Sequence, residues 1–140
     1  RLMREQGFGG SLVFIATKNV LAPGRGFGAY SAAKSAQVQV ARVLAMENGA
    51  YGIRSNIVNP DAVFQGSGLW SPELRRERAT AHGIAESELE EFYRKRNLLQ
   101  AYITPTDVAQ AALFLASDRS AKTTGCILTV DGGVPAAFPR

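Results

Sequence analysis

The sequence predicts an α/β fold in which helices pack on a parallel sheet. Two observations carry that prediction. Short apolar runs alternate with longer helical patterns, in the order strand, helix, strand, charged helices, helix, strand. The first run, "SLVFIAT" (Ser11–Thr17), is nearly continuous rather than alternating, as in strands covered on both faces. Right-handed crossovers between parallel strands then place helices on both sides of the sheet.

The elements follow in order. The opening "RLMREQGFGGS" has no initiator methionine and reads as the tail of a helix, so a piece of a longer protein is expected. Gly9-Gly10 lead into the Ser11–Thr17 strand. The loop Lys18–Ala29 holds Pro23 and three glycines at alternate positions, Gly24, Gly26 and Gly28. From Tyr30 to about Asn48 apolar residues recur at three- and four-residue steps, which predicts a helix burying Ala33, Ala36, Val40, Ala41, Val43 and Leu44. Gly49 and Gly52 end it. "IRSNIVN" (Ile53–Asn59) reads as the second strand, stopped by Pro60.

Residues 61 to 104 differ in character. Ser71 caps a helix with Pro72 in its first turn and Gly83 at its end. Ser87 and Glu90 have capping-box spacing for a second helix reaching about Arg96. Both are polar and charged, so this segment reads as a small helical cap laid over something else. Thr104, Pro105 and Asp107 then start a well-punctuated helix with Val108, Ala111, Ala112 and Leu115 on its buried face. A third strand, Cys126–Val130, and a glycine turn close the pattern.

Composition narrows the function. The 140 residues suit one domain, with 46% hydrophobic and 20% charged residues, as in an ordinary soluble globule. No apolar run approaches the roughly 20 residues that span a bilayer, and no signal-peptide pattern is visible, so no membrane partner is expected. The single cysteine, Cys126, cannot form an internal disulfide and suits a reducing, cytoplasmic setting. The net charge of +4 is modest. Its tightest clusters, "LRRER" (Leu74–Arg78) and "YRKR" (Tyr93–Arg96), stand beside glutamates and read as solvated helix faces; without an aromatic stacking row, no nucleic-acid partner is expected. His82, the only histidine, has no partner at ligand spacing. It reads as a solvated helix-end residue, and no metal site is expected.

The chemistry rests on "APGRGFGAYSAAK" (Ala22–Lys34). A dinucleotide fingerprint would require G-x-G-x-x-G directly between strand and helix, and a Walker loop would require a following Gly-Lys-Ser/Thr. The spacing here is G-x-G-x-G, several residues after the strand, so phosphate cradling is disfavoured. Tyr30 and Lys34, four apart, share one face of the helix. A phenol ordinarily ionises near pKa 10, and an ammonium beside it favours the phenolate. Such a pair can take a proton from an alcohol or give one to a carbonyl. Thr17 stands at the carboxyl end of the first strand, where open α/β sheets place their chemistry, and offers a hydroxyl to the same oxygen.

These residues, with "GGSLVFIAT", "AYSAAK", "GIRSNIVNP" and "PTDVAQAALFLASDRSAKTTGCILTVDGG", resemble the C-terminal half of a short-chain dehydrogenase/reductase over nearly the whole chain. The resemblance implies half of a Rossmann-type, doubly wound parallel sheet, three strands here, in residues 1–140, with a substrate cap at about 61–104. It implies hydride transfer between NAD or NADP and the alcohol or carbonyl of a small molecule. Tyr30 corresponds to the catalytic acid/base. Lys34 corresponds to the lysine that binds the nicotinamide ribose. Thr17 takes the place of the substrate-orienting serine, and Pro60 and Val63 fall where the family's loop runs along the nicotinamide. The family's pyrophosphate loop and catalytic asparagine belong to a half that precedes this region, so the 140 residues alone are expected neither to bind a dinucleotide nor to turn over substrate. The helix from Tyr30 and the last strand are where family subunits pack, which implies a homo-oligomer. A non-catalytic half serving assembly is the alternative.

Three departures matter. Thr17 adds a methyl group to the usual serine. Asp61 stands where the family has glycine, so its carboxylate must turn away from the nicotinamide or meet the substrate. Gln65 replaces a threonine. "NPDAVFQGSGLW" and the closing "DGGVPAAFPR" resemble more narrowly the dehydrogenase domain of bifunctional rhamnulose-phosphate aldolase/short-chain dehydrogenases, implying a hydroxyaldehyde, sugar or sugar alcohol as substrate. Gln65, Ser67 and Trp70 would suit a polyhydroxylated ligand.

Overall fold

The computed structural model describes residues 1–138; Pro139 and Arg140, the end of the "DGGVPAAFPR" stretch, lie outside the described residues. The helices are α1 (Leu2–Gln6), α2 (Gly28–Asn48), α3 (Pro72–His82), α4 (Leu89–Lys95) and α5 (Pro105–Ala116), and the strands are β1 (Gly10–Ile15), β2 (Ile53–Pro60) and β3 (Ile127–Val130). The three strands form one parallel sheet in the order β1-β2-β3. The α/β architecture read from the sequence is therefore the one observed.

Strand alternation assigns the two faces. Phe14, Ala16, Ile57 and Ile127 meet Val38 and Ala41 of α2 in the main core. On the other face, Ser11 Oγ donates to the Leu115 carbonyl at 2.8 Å, which seats α5. Arg54 clamps the end of α5: its Nη1 donates to the Leu115 carbonyl and Ser120 Oγ, both at 2.8 Å, and its Nη2 to the Ser117 carbonyl at 3.1 Å. A cation there satisfies carbonyls that the helix leaves unpaired. Asn56, fully buried, stitches β2 to the approach of β3 by donating to the Thr123 carbonyl and accepting from Cys126 N–H.

Several local expectations need correction. The strand ends at Ile15, although Ala16 N–H still bonds the Val58 carbonyl at 2.8 Å, and Thr17 instead caps a short 3-10 turn, Lys18–Val20. Helix α2 begins at Gly28 and buries Ser31, Val38, Ala41, Ala45 and Asn48. Ala33 and Ala36 face outward, Val40 and Val43 are 53% and 48% exposed, and Leu44 is half-buried. The helix has apolar residues around much of its girth, so periodicity could not choose the face against the sheet. The entry to α4 is a 3-10 turn at Glu86–Glu88, with Ala85 N–H donating to the Glu88 carboxylate, so Ser87 is not its cap. Ser71 and Thr104 do cap α3 and α5, accepting from Leu74 and Asp107 N–H. Cys126 is half-buried just ahead of β3.

The predicted cap has a small core of its own. Ala79, Leu89 and Tyr93 are buried with Phe64, Trp70 and Phe92 packed on them. Phe64 stacks on Trp70 at 4.1 Å between ring centres, and Tyr93 meets both edge-on at 5.4 Å. After β3 the chain is tied back to the end of α4: Leu98 and Leu99 N–H donate to the Gly133 and Gly132 carbonyls. Gly132 has φ 65, and a Cβ there would run into the Asn97 amide, so only glycine fits.

Candidate active site

A cavity of about 660 Å³ opens between the carboxyl ends of β1 and β2 and the helices α3 and α4. Thr17, Tyr30, Lys34, Pro60 and Val63, the five residues singled out in the sequence, all line it. Each arrives by a local route. Thr17 sits just past β1, its Oγ1 accepting from Asn19 N–H at 3.3 Å, which leaves the hydroxyl proton to donate elsewhere. Tyr30 occupies the first turn of α2 with its ring edge-on to Phe27 at 5.8 Å. One turn on, Lys34 Nζ donates to the Ile15 carbonyl at 2.9 Å and to Gln37 Oε1 at 3.2 Å, locking helix to strand tip. Pro60 ends β2, and Val63 bridges to Ile103.

The glycine loop is a passage for an arginine. Gly26 has φ 80, and a Cβ at that position would press on Arg78 Nη1 at 3.3 Å. Arg78 donates to the Arg25 carbonyl at 2.7 Å and lies over the Phe27 ring at 4.8 Å. The side chain is 5% exposed, which corrects the reading of "LRRER" as a solvated face. Leu74, Arg78 and His82 are spaced by four and share the inward face of α3, whereas Arg76 stays outside. That spacing was the available signal.

Asp61 is also resolved. Its carboxylate meets Arg96 through both oxygens, at 2.6 and 2.7 Å from Nη2, with Nε 3.2 Å from Oδ2. Arg96 stands over the Tyr93 ring at 3.9 Å, so "YRKR" is not a solvated face at this position either. Both partners line the cavity.

Two further cavity residues were missed or misread. Lys18, next to Thr17, is 9% exposed and, among the described residues, donates to the Ala22 carbonyl alone, at 3.0 Å. Burial pushes its pKa below the usual lysine range, and Arg96 lowers it further while Asp61 opposes. His82 is not a solvated helix end. Its ring packs on Phe92 at 4.4 Å, and its buried Nε2 has no partner among the described residues. Burial, then Arg78 and Arg96, hold its pKa below the usual histidine value, so it stays neutral near pH 7.

The walls suit a flat ring with a polar edge: Ile15, Pro60 and Val63 are apolar, and Thr17, Tyr30 and Lys34 stand beside them.

A family model described as "Enoyl-(Acyl carrier protein) reductase" matches residues 1–135. The chain is 51% identical over 138 residues to the uncharacterized oxidoreductase YuxG of Bacillus subtilis, covering 99% of this chain and 20% of that protein. Among solved structures, the sorbitol-6-phosphate 2-dehydrogenase SrlD of Erwinia amylovora superposes with a TM-score of 0.81 at 30% identity, over 94% of this chain and 51% of the other. A short-chain dehydrogenase of Mycobacterium paratuberculosis bound to NAD superposes with a TM-score of 0.76 at 29% identity, over 94% of this chain and 47% of the other. The chain thus spans a fifth of its Bacillus relative and about half of each of these solved chains.

Proposed function

The chain belongs to the short-chain dehydrogenase/reductase family, and on that premise we propose that the complete protein is an oxidoreductase acting on the alcohol or carbonyl of a small molecule. The observation that carries the reading is the meeting of Thr17, Tyr30 and Lys34 at one cavity beside the tip of β1. Tyr30 holds and moves the proton of the reacting oxygen. Thr17 Oγ1 orients that oxygen. Lys34, anchored on the Ile15 carbonyl, brings positive charge to the base of the site and a donor for ribose hydroxyls. Pro60 and Val63 give the nicotinamide ring an apolar wall. Bound NAD or NADP supplies the hydride acceptor or donor.

For substrate we propose a small hydroxyaldehyde, sugar or sugar alcohol. The likeness to a sorbitol-6-phosphate dehydrogenase supports this, as do Gln65, Ser67 and Trp70 along the cavity. The Bacillus relative, about five times the matched length, has room for an additional domain, which suits the aldolase-linked arrangement. We place the complete protein in the cytoplasm as a homo-oligomer. Among the described residues no helix is long and apolar enough to cross a membrane.

The test is Tyr30→Phe in the complete protein. Turnover followed by NAD(P)H absorbance should fall about a hundredfold or more. Dinucleotide binding followed by fluorescence should persist. Near-normal turnover would remove Tyr30 from its role. A second reading, a non-catalytic half serving assembly, draws on the exposed row of Val40, Val43 and Met46 on α2. Absence of both NADH and NADPH binding would favour it.

A further inference from the structure

The cavity is strongly biased in charge. Lys18, Arg25, Lys34, Arg78 and Arg96 line it against one carboxylate, Asp61. Asp61 neutralises Arg96 through both oxygens. Lys34 is occupied by the Ile15 carbonyl and Gln37, and Arg25 is exposed. Lys18 and Arg78 are the remaining buried cations, 9% and 5% exposed. Among the described residues each has one hydrogen bond, to a backbone carbonyl, and Arg78 Nε has no partner. A carbonyl dipole does not offset a full buried charge, and a buried cation without a counter-ion is costly. The two also feel each other: Arg78, like Arg96, depresses the Lys18 pKa, opposed by Asp61 and Asp131.

Resting on the hydride-transfer reading of this cavity, we propose that the substrate carries an anionic group, a carboxylate or a phosphate monoester, received by Lys18 and Arg78. Lys18 and Arg78 line the same cavity as Thr17 and Tyr30, so one substrate can meet the cations and the reacting groups together. The anion adds direct counter-charge to a pair that Asp61 and Asp131 offset only in part, and Arg78 offers it a planar fork of donors.

The test uses the complete protein at saturating NAD or NADP. A short 2-hydroxyaldehyde or diol is compared with counterparts bearing a terminal carboxylate or a terminal phosphate. One charged counterpart should exceed the neutral compound in kcat/KM by about tenfold or more, and which of them does so names the group. Arg78→Met should reduce that ratio about tenfold, Arg78→Lys, which keeps the charge but loses the fork, should retain only part of it, and Arg76→Met, on the outer face of α3, should leave it unchanged. In parallel, inorganic phosphate and malonate are titrated calorimetrically into the protein without dinucleotide and again at dinucleotide saturation. Binding that weakens in Arg78→Met supports the proposal without reference to turnover. Turnover with equal kcat/KM for neutral and charged compounds overturns it and leaves the dehydrogenase reading intact. With turnover of none of the compounds, NADH and NADPH binding tests the dehydrogenase reading, and the calorimetry decides the anion site. Anion binding that vanishes once the dinucleotide saturates assigns the two cations to the cofactor and overturns the proposal.

Discussion

Asp61 and Arg96 face each other across the rim of the cavity with both carboxylate oxygens engaged, at 2.6 and 2.7 Å from one guanidinium nitrogen. The pair joins the residue after β2 to the residue after α4, 35 positions apart in the chain. It turns a carboxylate at the strand tips into a structural tether. It also leaves the floor of the cavity positive.

Removing the acid should be costly. Asp61 has 6% side-chain exposure and Arg96 23%, so Asp61→Ala strands a mostly buried cation near Lys18. A loss of about 3 kcal/mol is expected in urea denaturation of the complete protein. Asp61→Asn should lose less, since it keeps an acceptor. A loss close to zero would show that the tether exchanges freely with water.

The hydroxyl of Thr17 can be separated from its shape. Thr17→Val keeps the volume and removes the oxygen, and turnover is expected to fall about a hundredfold. Thr17→Ser should stay within a few-fold of the parent enzyme. Because Oγ1 also accepts from Asn19 N–H, circular dichroism must first establish that the valine variant keeps its fold. Equal rates for both variants would detach Thr17 from the chemistry.

His82 should make stability depend on pH. Its folded-state pKa lies below the ordinary value of 6.5, through burial first and then Arg78 and Arg96. Between the two values the unfolded chain binds more protons, so stability rises with pH there. Its contribution is complete above about pH 6.5 and is lost as pH falls toward the depressed folded value. His82→Phe, which preserves the packing on Phe92, should flatten this slope between pH 7.5 and 5.5 in denaturant melts. An unchanged slope would return His82 to solvent.

Strand β1 is an edge of the described sheet, with Ile15 41% exposed. An unpaired apolar edge recruits other strands. Expressed alone, the 140-residue chain is expected to self-associate, with light scattering giving a mass above that of one chain. A monodisperse monomer would contradict this.

Short-range signals were readable directly. Ser71 and Thr104 announce the helices they cap, and both caps are present. Tyr30 and Lys34 share a helix face through spacing alone, and Thr17 lies at a strand end because the apolar run stops there. The residues misread are those whose surroundings come from far along the chain. Val40 and Val43 fit a buried stripe as well as Val38 and Ala45 do, and only contact with β1 and β2 selects between them.

Chain order alone established the alternation of strands and helices, the parallel sheet and the positions of the tyrosine, lysine and threonine, because these follow from periods and caps within about twenty residues. Packing settled what the charges do. Arg78 reaches the Arg25 carbonyl across 53 positions, and Arg96 reaches Asp61 across 35. Beside glutamates on a helix either arginine reads as solvated. Only a folded chain sets them against the glycine loop and the strand tips, where a largely buried cation must find a partner.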